Sequence, residues 1–135
     1  MDNTLIQGDS LIMAAWCACN KLNFFLRVIY FLPFLILSKI GFLKTKKLKE
    51  LFLEFFKICE MFNKKSEEKY IKLLISSLNK DALNKLNKHK KKGEEIYLCS
   101  ASPDMLLNPL AKYLDVKLIS TNLFFKNNLW QPKIN

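Results

Sequence analysis

The clearest pattern of apolar and polar positions lies in the middle of the chain. From Leu48 to Phe62, apolar side chains recur at the three- and four-residue spacing of one helix face, and charged side chains lie mostly opposite. This pattern predicts one amphipathic helix. A second helix is predicted to begin at the N-cap residue Ser66, with Tyr70 and Leu74 on its inner face. Residues 23–79 are therefore predicted to be helical throughout.

Residues 23–43 form the most apolar stretch of the chain, NFFLRVIYFLPFLILSKIGFL. Eleven uncharged residues separate Arg27 from Lys39, fewer than the roughly 20 that a helix needs to cross a bilayer. If both charged side chains extend to the interface, the stretch approaches spanning length. Two interpretations stay open: a buried helix of a cap or bundle, or a helix that contacts a membrane by spanning it or lying on it.

The regions on either side combine helices with short apolar runs. Asp9 or Ser10 is a natural N-cap for a helix within the first 22 residues. A lysine-rich helix is predicted to end at Gly93, a favoured residue just beyond a helix C-terminus. A strand is predicted over residues 96–100. A further helix is predicted to follow, with Ser102 as its N-cap and Pro103 at its first position.

Two further elements are predicted towards the C-terminus. Residues 116–123, VKLISTNL, have the composition of a second strand, and Asn127 and Asn128 are predicted to form the turn of a small hairpin. The order helix–strand–helix–strand favours a parallel sheet with crossover helices. The chain is therefore predicted to belong to the α/β class.

The hydrophobic content and net charge of the chain indicate which kinds of partner it could bind. The 135 residues are half hydrophobic, which excludes a disordered chain, and the formal net charge is +10. Such a charge favours phosphorylated substrates, acidic lipids or nucleic acid, although lysine-rich helices are also common as solvated faces. The run from Lys88 to Lys92, which includes His89, has no interleaved aromatic residues for base stacking. We therefore expect no nucleic-acid binding.

The cysteines indicate a reducing compartment. Cys17 and Cys19 are separated by one residue, which matches neither a redox pair nor a zinc-ligand pair. These two, with Cys59 and Cys99, lie in apolar runs and are predicted to be buried free thiols. Asp2 stands where a secretory signal would carry positive charge. We expect a cytoplasmic protein, associated with the cytoplasmic face of the inner membrane if residues 23–43 contact a bilayer.

Two short stretches carry the candidate chemistry. The first is Asp2-Asn3-Thr4-Leu5, and the second is the strand at residues 96–100 followed by Ala101-Ser102-Pro103. With a helical insert between them, they resemble the haloacid-dehalogenase-like hydrolase superfamily, in particular the phosphoserine-phosphatase-related branch, subfamily IB. The first motif of that family is Asp-x-Asp-x-Thr after a strand, and residues 1–4 are similar to its last four positions. Its second motif is a strand that ends in Ser or Thr.

The resemblance implies an architecture. It implies an incomplete α/β core of Rossmann-like fold with a parallel sheet, formed by residues 1–22 and 80–135. An all-helical, hydrophobic cap at residues 23–79 would be inserted into it.

The resemblance also implies roles for individual residues. Asp2 would act as general acid/base, and its backbone carbonyl would help to hold Mg²⁺, the implied cofactor. Thr4 would orient the first motif. Ser100 would hydrogen-bond the transferring phosphoryl group, aided by backbone N–H groups at Ala101 and Ser102.

Three elements of the family pattern do not match a residue of this sequence. The nucleophilic aspartate would lie one residue before Met1. The third-motif lysine and the acidic pair that binds magnesium normally lie well after Asn135, and Lys133 comes too early to be that lysine. We therefore expect an incomplete piece with little or no activity, produced by a split or frameshifted gene or by a start codon assigned inside the first motif.

Two hypotheses for function follow. The first is a fragment of a magnesium-dependent phosphate-monoester phosphatase that works through an aspartyl-phosphate, acting on a phospholipid or on a small phosphorylated metabolite. The alternative is a non-catalytic, membrane-associated helical protein that retains remnants of the phosphatase motifs. The sequence makes no prediction of oligomeric state.

Overall fold

The computed structural model describes residues 4–65 and 67–135. Within them the elements, in chain order, are α1 (Ser10–Ala18), α2 (Lys21–Lys39), α3 (Thr45–Phe55), α4 (Ile58–Asn63), α5 (Glu68–Ser76), α6 (Lys80–Lys91), β1 (Tyr97–Pro103), α7 (Asp104–Leu114), β2 (Lys117–Thr121), β3 (Leu123–Lys126) and β4 (Leu129–Ile134). The chain forms two compact units. The first comprises the residues up to Met13 and Glu68–Asn122, and the second comprises Ala14–Glu67 and Leu123–Asn135.

The boundaries of these two units differ from the predicted boundaries of the core, residues 1–22 and 80–135, and of the cap, residues 23–79. Helix α5, placed in the cap by the prediction, packs on α7 within the first unit, where the Tyr70 hydroxyl donates to the Leu106 carbonyl oxygen at 3.1 Å. The β3–β4 hairpin, placed in the core, belongs to the second unit. There the backbone N–H of Trp130 donates to the Asn63 side-chain oxygen at 2.8 Å.

The sheet of the first unit is the predicted parallel pair. Strand β1 pairs in parallel with β2, and the crossover helix α7 packs against both strands. The helix buries six apolar side chains, namely Met105, Leu106, Leu107, Leu110, Ala111 and Leu114. The prediction of an α/β arrangement with a crossover helix is confirmed.

The start of α7 differs from its prediction. Ser102 and Pro103 remain in β1, Pro103 is the N-cap with ψ 142°, and the helix begins at Asp104. The prediction that Ser102 caps the helix is wrong, because the extended backbone at Pro103 delays the first helical turn by one residue. Ser102 is a buried strand residue instead.

Helix α6 ends as predicted. Gly93 has φ +74°, its N–H donates to the Lys90 carbonyl oxygen, and the N–H of Glu94 donates to the His89 carbonyl oxygen. This is the Schellman pattern, in which a left-handed glycine satisfies the last carbonyl groups of a helix. At the other end, the Asn79 side chain caps the first turn of α6.

The single helix predicted from Leu48 to Phe62 is wrong. Helix α3 ends at Phe55 and α4 begins at Ile58, with Lys57 in the left-handed conformation at φ 56°. In a continuous helix, Phe56 and Ile58 would project about 200° apart. The left-handed residue between them redirects the chain, and both side chains are buried. The predicted start of the next helix, Ser66, lies outside the described residues.

The predicted hairpin is confirmed. Strands β3 and β4 pair antiparallel, and the turn residues Asn127 and Asn128 have φ values of 53° and 61°. Two consecutive residues with positive φ are typical of a type I′ turn, which asparagine tolerates better than most residues.

The cysteine prediction is confirmed only in part. All four cysteines are free thiols, and Cys59 is buried. Cys17 and Cys19 are half-buried, and Cys99 is exposed. The side chains of a strand alternate between its two faces, so β1 buries Leu98 against α7 and turns Cys99 away from it.

The buried Tyr70 hydrogen bond gives a first prediction. Tyr70→Phe should destabilise the protein by about 1 kcal/mol, because the Leu106 carbonyl oxygen loses a buried donor. Urea unfolding followed by circular dichroism measures the change. Tyr113→Phe, at a tyrosine that is 60% exposed, is the matched control and should leave the midpoint unchanged. Equal effects of the two substitutions would contradict the assignment.

The cysteines give a second prediction. Burial raises the pKa of the Cys59 thiol to about 12. The thiolate is the reactive species, so at about pH 8 iodoacetamide should modify exposed Cys99 at least about tenfold faster than Cys59 in the native protein. Peptide mass spectrometry over time measures both rates. In urea the difference should disappear, and equal native rates would show that Cys59 is accessible.

Candidate functional site

The candidate site lies where β1 ends and α7 begins, within the first unit. Ser100 is half-buried, Ala101 is exposed and Ser102 is buried. The backbone N–H of Ser102 donates to the Ser100 side-chain oxygen at 3.1 Å, which restrains the Ser100 hydroxyl within the last part of the strand. The three residues predicted to bind phosphate therefore form one short, ordered segment.

This segment departs from the regular parallel ladder. The register between β1 and β2 shifts between Cys99 and Pro103, so residues 100–102 do not follow the even pairing of the residues before them. The Thr121 hydroxyl of β2 donates to the Ala101 carbonyl oxygen at 2.9 Å. The carboxyl ends of the two strands are thus held together at the edge where open α/β sheets bind ligands.

A second polar contact joins the site to the start of α1. The Ser10 hydroxyl, fully buried, donates to the Ser102 side-chain oxygen at 3.0 Å. The Asp9 carboxylate accepts the N–H groups of Leu11 and Ile12 at 2.8 and 3.1 Å. Asp9 therefore caps α1, as predicted, and its position fixes where Ser10 enters the site.

Helix α7 adds the electrostatic character of its N-terminus. The unpaired N–H groups of a first helical turn carry partial positive charge and favour anions. Asp104 lies in that turn, and its carboxylate accepts the N–H of Met105 at 2.8 Å. The segment at residues 100–102 leads through Pro103 into this turn.

The first-motif residues are placed only in part. Thr4 is exposed and lies in a turn before Leu5 and Ile6, both buried. Ile6 forms an antiparallel bridge with Leu78, which holds this segment beside the connection between α5 and α6. Asp2, the predicted acid/base, lies outside the described residues. The roles of Asp2, Thr4, Ser100, Ala101 and Ser102 stay predictions.

Sequence reasoning did not assign Ser10 and Thr121 to this site. The sequence indicates Ser10 as a helix cap and as part of the stretch that follows the first motif, but gives it no role at the site. Thr121 lies within the second predicted strand, residues 116–123, and is the last residue of β2 in the structure. A hydroxyl residue near the carboxyl end of a parallel strand is the available signal. Its partner Ala101 could be identified only from the register of the sheet.

The described residues do not form a magnesium site by themselves. Across residues 4–65 and 67–135, no group of three His, Cys, Asp or Glu side chains is arranged to hold a metal ion. The one ligand that the resemblance assigns, the backbone carbonyl of Asp2, lies outside these ranges. Of the nearby carboxylates, Asp9 is engaged in capping and Asp104 accepts a backbone N–H.

Comparison with known proteins identifies the family. The sequence model of haloacid dehalogenase-like hydrolases matches residues 1–135, and the chain belongs to this family. Its fold is similar to a crystal structure of a protein with unknown function from Bordetella pertussis Tohama I, with a TM-score of 0.80 and 19% sequence identity. The similarity covers 100% of this chain and 63% of that chain. Comparison with curated proteins gives no match.

The likeness confirms the predicted fold class, an α/β chain with a partial Rossmann-like core. The match to the family model confirms the superfamily named from the two motifs. The chain spans less than two thirds of the solved structure that it resembles.

The Ser10–Ser102 contact gives a third prediction. In a double-mutant cycle of Ser10→Ala, Ser102→Ala and the double variant, the coupling free energy should be about 0.5–1.5 kcal/mol, because the two hydroxyl groups bond each other in a buried setting. Urea unfolding measures each variant. Pairing Ser102→Ala with Ser76→Ala, at an exposed serine of α5, should give no coupling. A coupling below about 0.3 kcal/mol for the first pair would contradict the contact.

Proposed function

We propose that this hydrolase belongs to the phosphoserine-phosphatase-related branch of its family and is part of a magnesium-dependent phosphate-monoester phosphatase that works through an aspartyl-phosphate. One observation carries the proposal. Ser100 directly follows Cys99, the last residue of β1 in the regular parallel ladder, and the strand leads through Pro103 into the N-terminus of a buried helix. This combination of a hydroxyl donor and a helix N-terminus suits a phosphoryl group.

The Ser100 hydroxyl is oriented for this role. Its oxygen accepts the Ser102 N–H, and a hydroxyl group keeps one hydrogen to donate when its oxygen accepts a bond. That hydrogen would bond a phosphoryl oxygen. Because the segment is already fixed by Ser10 and Thr121, little reorganisation would accompany binding.

The remaining chemistry is assigned through the motif match. Asp2 would protonate the leaving oxygen and then activate water, and Thr4 would orient the first motif. Magnesium, when bound, would neutralise phosphoryl charge. The sequence has no residue that matches the nucleophilic aspartate, the third-motif lysine or the acidic pair. We therefore propose that the 135-residue chain alone has little or no phosphatase activity.

Two substrate classes are compatible with the site, a phospholipid and a small phosphorylated metabolite. The net charge of +10 favours either anion. The apolar helix α2, most of whose residues are exposed, favours the lipid. The same exposure supports the second candidate function, a non-catalytic membrane-associated protein.

Phosphate binding tests the site without requiring turnover. Titration of the ¹⁵N-labelled chain with inorganic phosphate should shift the backbone amide signals of residues 100–104. Ser100→Ala should weaken this binding about tenfold, the loss of one charge-assisted hydrogen bond. Ser76→Ala, whose hydroxyl donates only to Leu73 within its own helix, is the matched control. Unchanged affinity in Ser100→Ala would overturn the assignment of this serine.

Activity tests the second part of the proposal. Phosphate release from phosphoserine and from phosphatidylglycerophosphate vesicles should be measured with Mg²⁺ or EDTA, for this chain and for the full product of its gene. We expect no release above buffer for the 135 residues. Magnesium-dependent release by this chain would show that the proposed inactivity is wrong, and release that persists in EDTA would contradict the proposed cofactor.

A further inference from the structure

One face of helix α2 is packed within the second unit. Phe31, its one buried residue, lies with its ring centroid 5.3 Å from that of Phe52 and 5.8–5.9 Å from those of Phe55 and Phe56. The Arg27 guanidinium donates a hydrogen bond to the Phe55 carbonyl oxygen. Helix α2 is therefore held along α3 by an aromatic cluster and a polar contact.

The opposite face of α2 is apolar and exposed. The large apolar side chains that stay exposed on the helix and at its C-cap are Leu22, Phe25, Leu26, Ile29, Tyr30, Leu32, Leu35, Ile36, Leu37 and Ile40. At about 100° per residue, all but Leu35 fall within one arc that contains no charged or amide side chain. Phe42, just beyond the helix, is 82% exposed. We call this set the α2 apolar face.

The charges around this face have one sign. Residues 10–49 contain seven Lys and Arg residues and no Asp or Glu. Lys21 and Lys39 lie at the two ends of α2, and Lys44 and Lys46 follow it, all exposed. An apolar face in a segment whose charged residues are all basic matches the interface of an anionic bilayer, where acyl chains lie beneath negative headgroups.

The packing of α2 decides how it would meet a bilayer. By length and composition the helix could cross a membrane. However, it is joined to α3, whose Lys46, Lys47, Glu50 and Glu54 could not enter hydrocarbon without a large desolvation cost. One face of α2 packs on α3, which must stay in water, and the opposite face is apolar. Helix α2 can place that apolar face in lipid and keep α3 in water only if it lies in the plane of the interface.

We propose that the α2 apolar face and its bordering lysines form a docking surface for an anionic lipid bilayer, with α2 lying along the interface. The docking does not depend on the proposed phosphatase activity. Its failure in a binding test and the failure of catalysis can therefore be distinguished.

Vesicle flotation tests the docking. The chain should float with vesicles of phosphatidylglycerol and phosphatidylcholine and remain at the bottom with phosphatidylcholine alone. Ile29→Glu combined with Ile36→Glu should weaken the partition about tenfold or more, because two charges would enter the apolar layer. Ile12→Glu, at an isoleucine of α1 that is 55% exposed, makes the same change elsewhere and should float like the wild type.

The charge component has its own variant pair. The double variant Lys44→Gln and Lys46→Gln should bind vesicles more weakly, and salt should affect its binding less than that of the wild type. The control double variant Lys88→Gln and Lys91→Gln, on α6, should bind like the wild type. Circular dichroism confirms that each variant is folded. Failure to float, equal flotation with phosphatidylcholine alone, or unchanged binding of the Ile29/Ile36 variant would each overturn the proposal.

Two further outcomes would assign the face differently. With vesicle-bound chain, external trypsin should cleave after both Lys21 and Lys39 if α2 lies in the plane. Protection of one end would show a spanning helix instead. In sedimentation without lipid, a dimer that the Ile29→Glu and Ile36→Glu changes dissociate would assign the face to a second copy and overturn lipid docking.

Discussion

The burial of α7 against β1 and β2 is the constraint on which the candidate site depends. The chain passes from β1 to α7 at Pro103 without an intervening loop. The packing of α7 therefore fixes the position of the last residues of β1. Six apolar side chains of α7 are buried, and the Leu106 carbonyl oxygen accepts the Tyr70 hydroxyl from α5. This packing orders the last residues of β1, where residues 100–102 lead into the N-terminus of α7.

Hydrogen bonds then restrict the segment at residues 100–102, which the apolar packing has placed. Ser10 and Thr121 come from distant parts of the sequence and bond to Ser102 and Ala101. Such hydrogen bonds contribute about 1 kcal/mol each, but they also restrict where a hydroxyl can point. For the phosphate binding that we propose, that restriction of direction matters more than the added stability.

In the second unit, a small set of elements packs against the strongly apolar helix α2 and buries only part of it. The phenylalanine cluster around Phe31 satisfies one face of α2, and α3 offers charged residues on its other side. No other element of this unit covers the α2 apolar face within the described residues. An exposed apolar patch of this extent is uncommon for a monomer in water and is typical of an interaction surface.

The sequence by itself determined the α/β class, the parallel β1–β2 pair and the superfamily. It also determined the start of α1 at Asp9, the end of α6 at Gly93 and the hairpin turn at the two asparagines. These features depend on local backbone preferences and on short motifs, which a sequence carries directly. The tertiary structure alone decided the break at Lys57 and the inclusion of α5 in the first unit. It also decided that Ser10 contacts Ser102, 92 residues away, and which face of α2 is exposed. Helical periodicity shows that a residue is apolar but not which neighbour covers it, and that choice is made only when distant elements pack together.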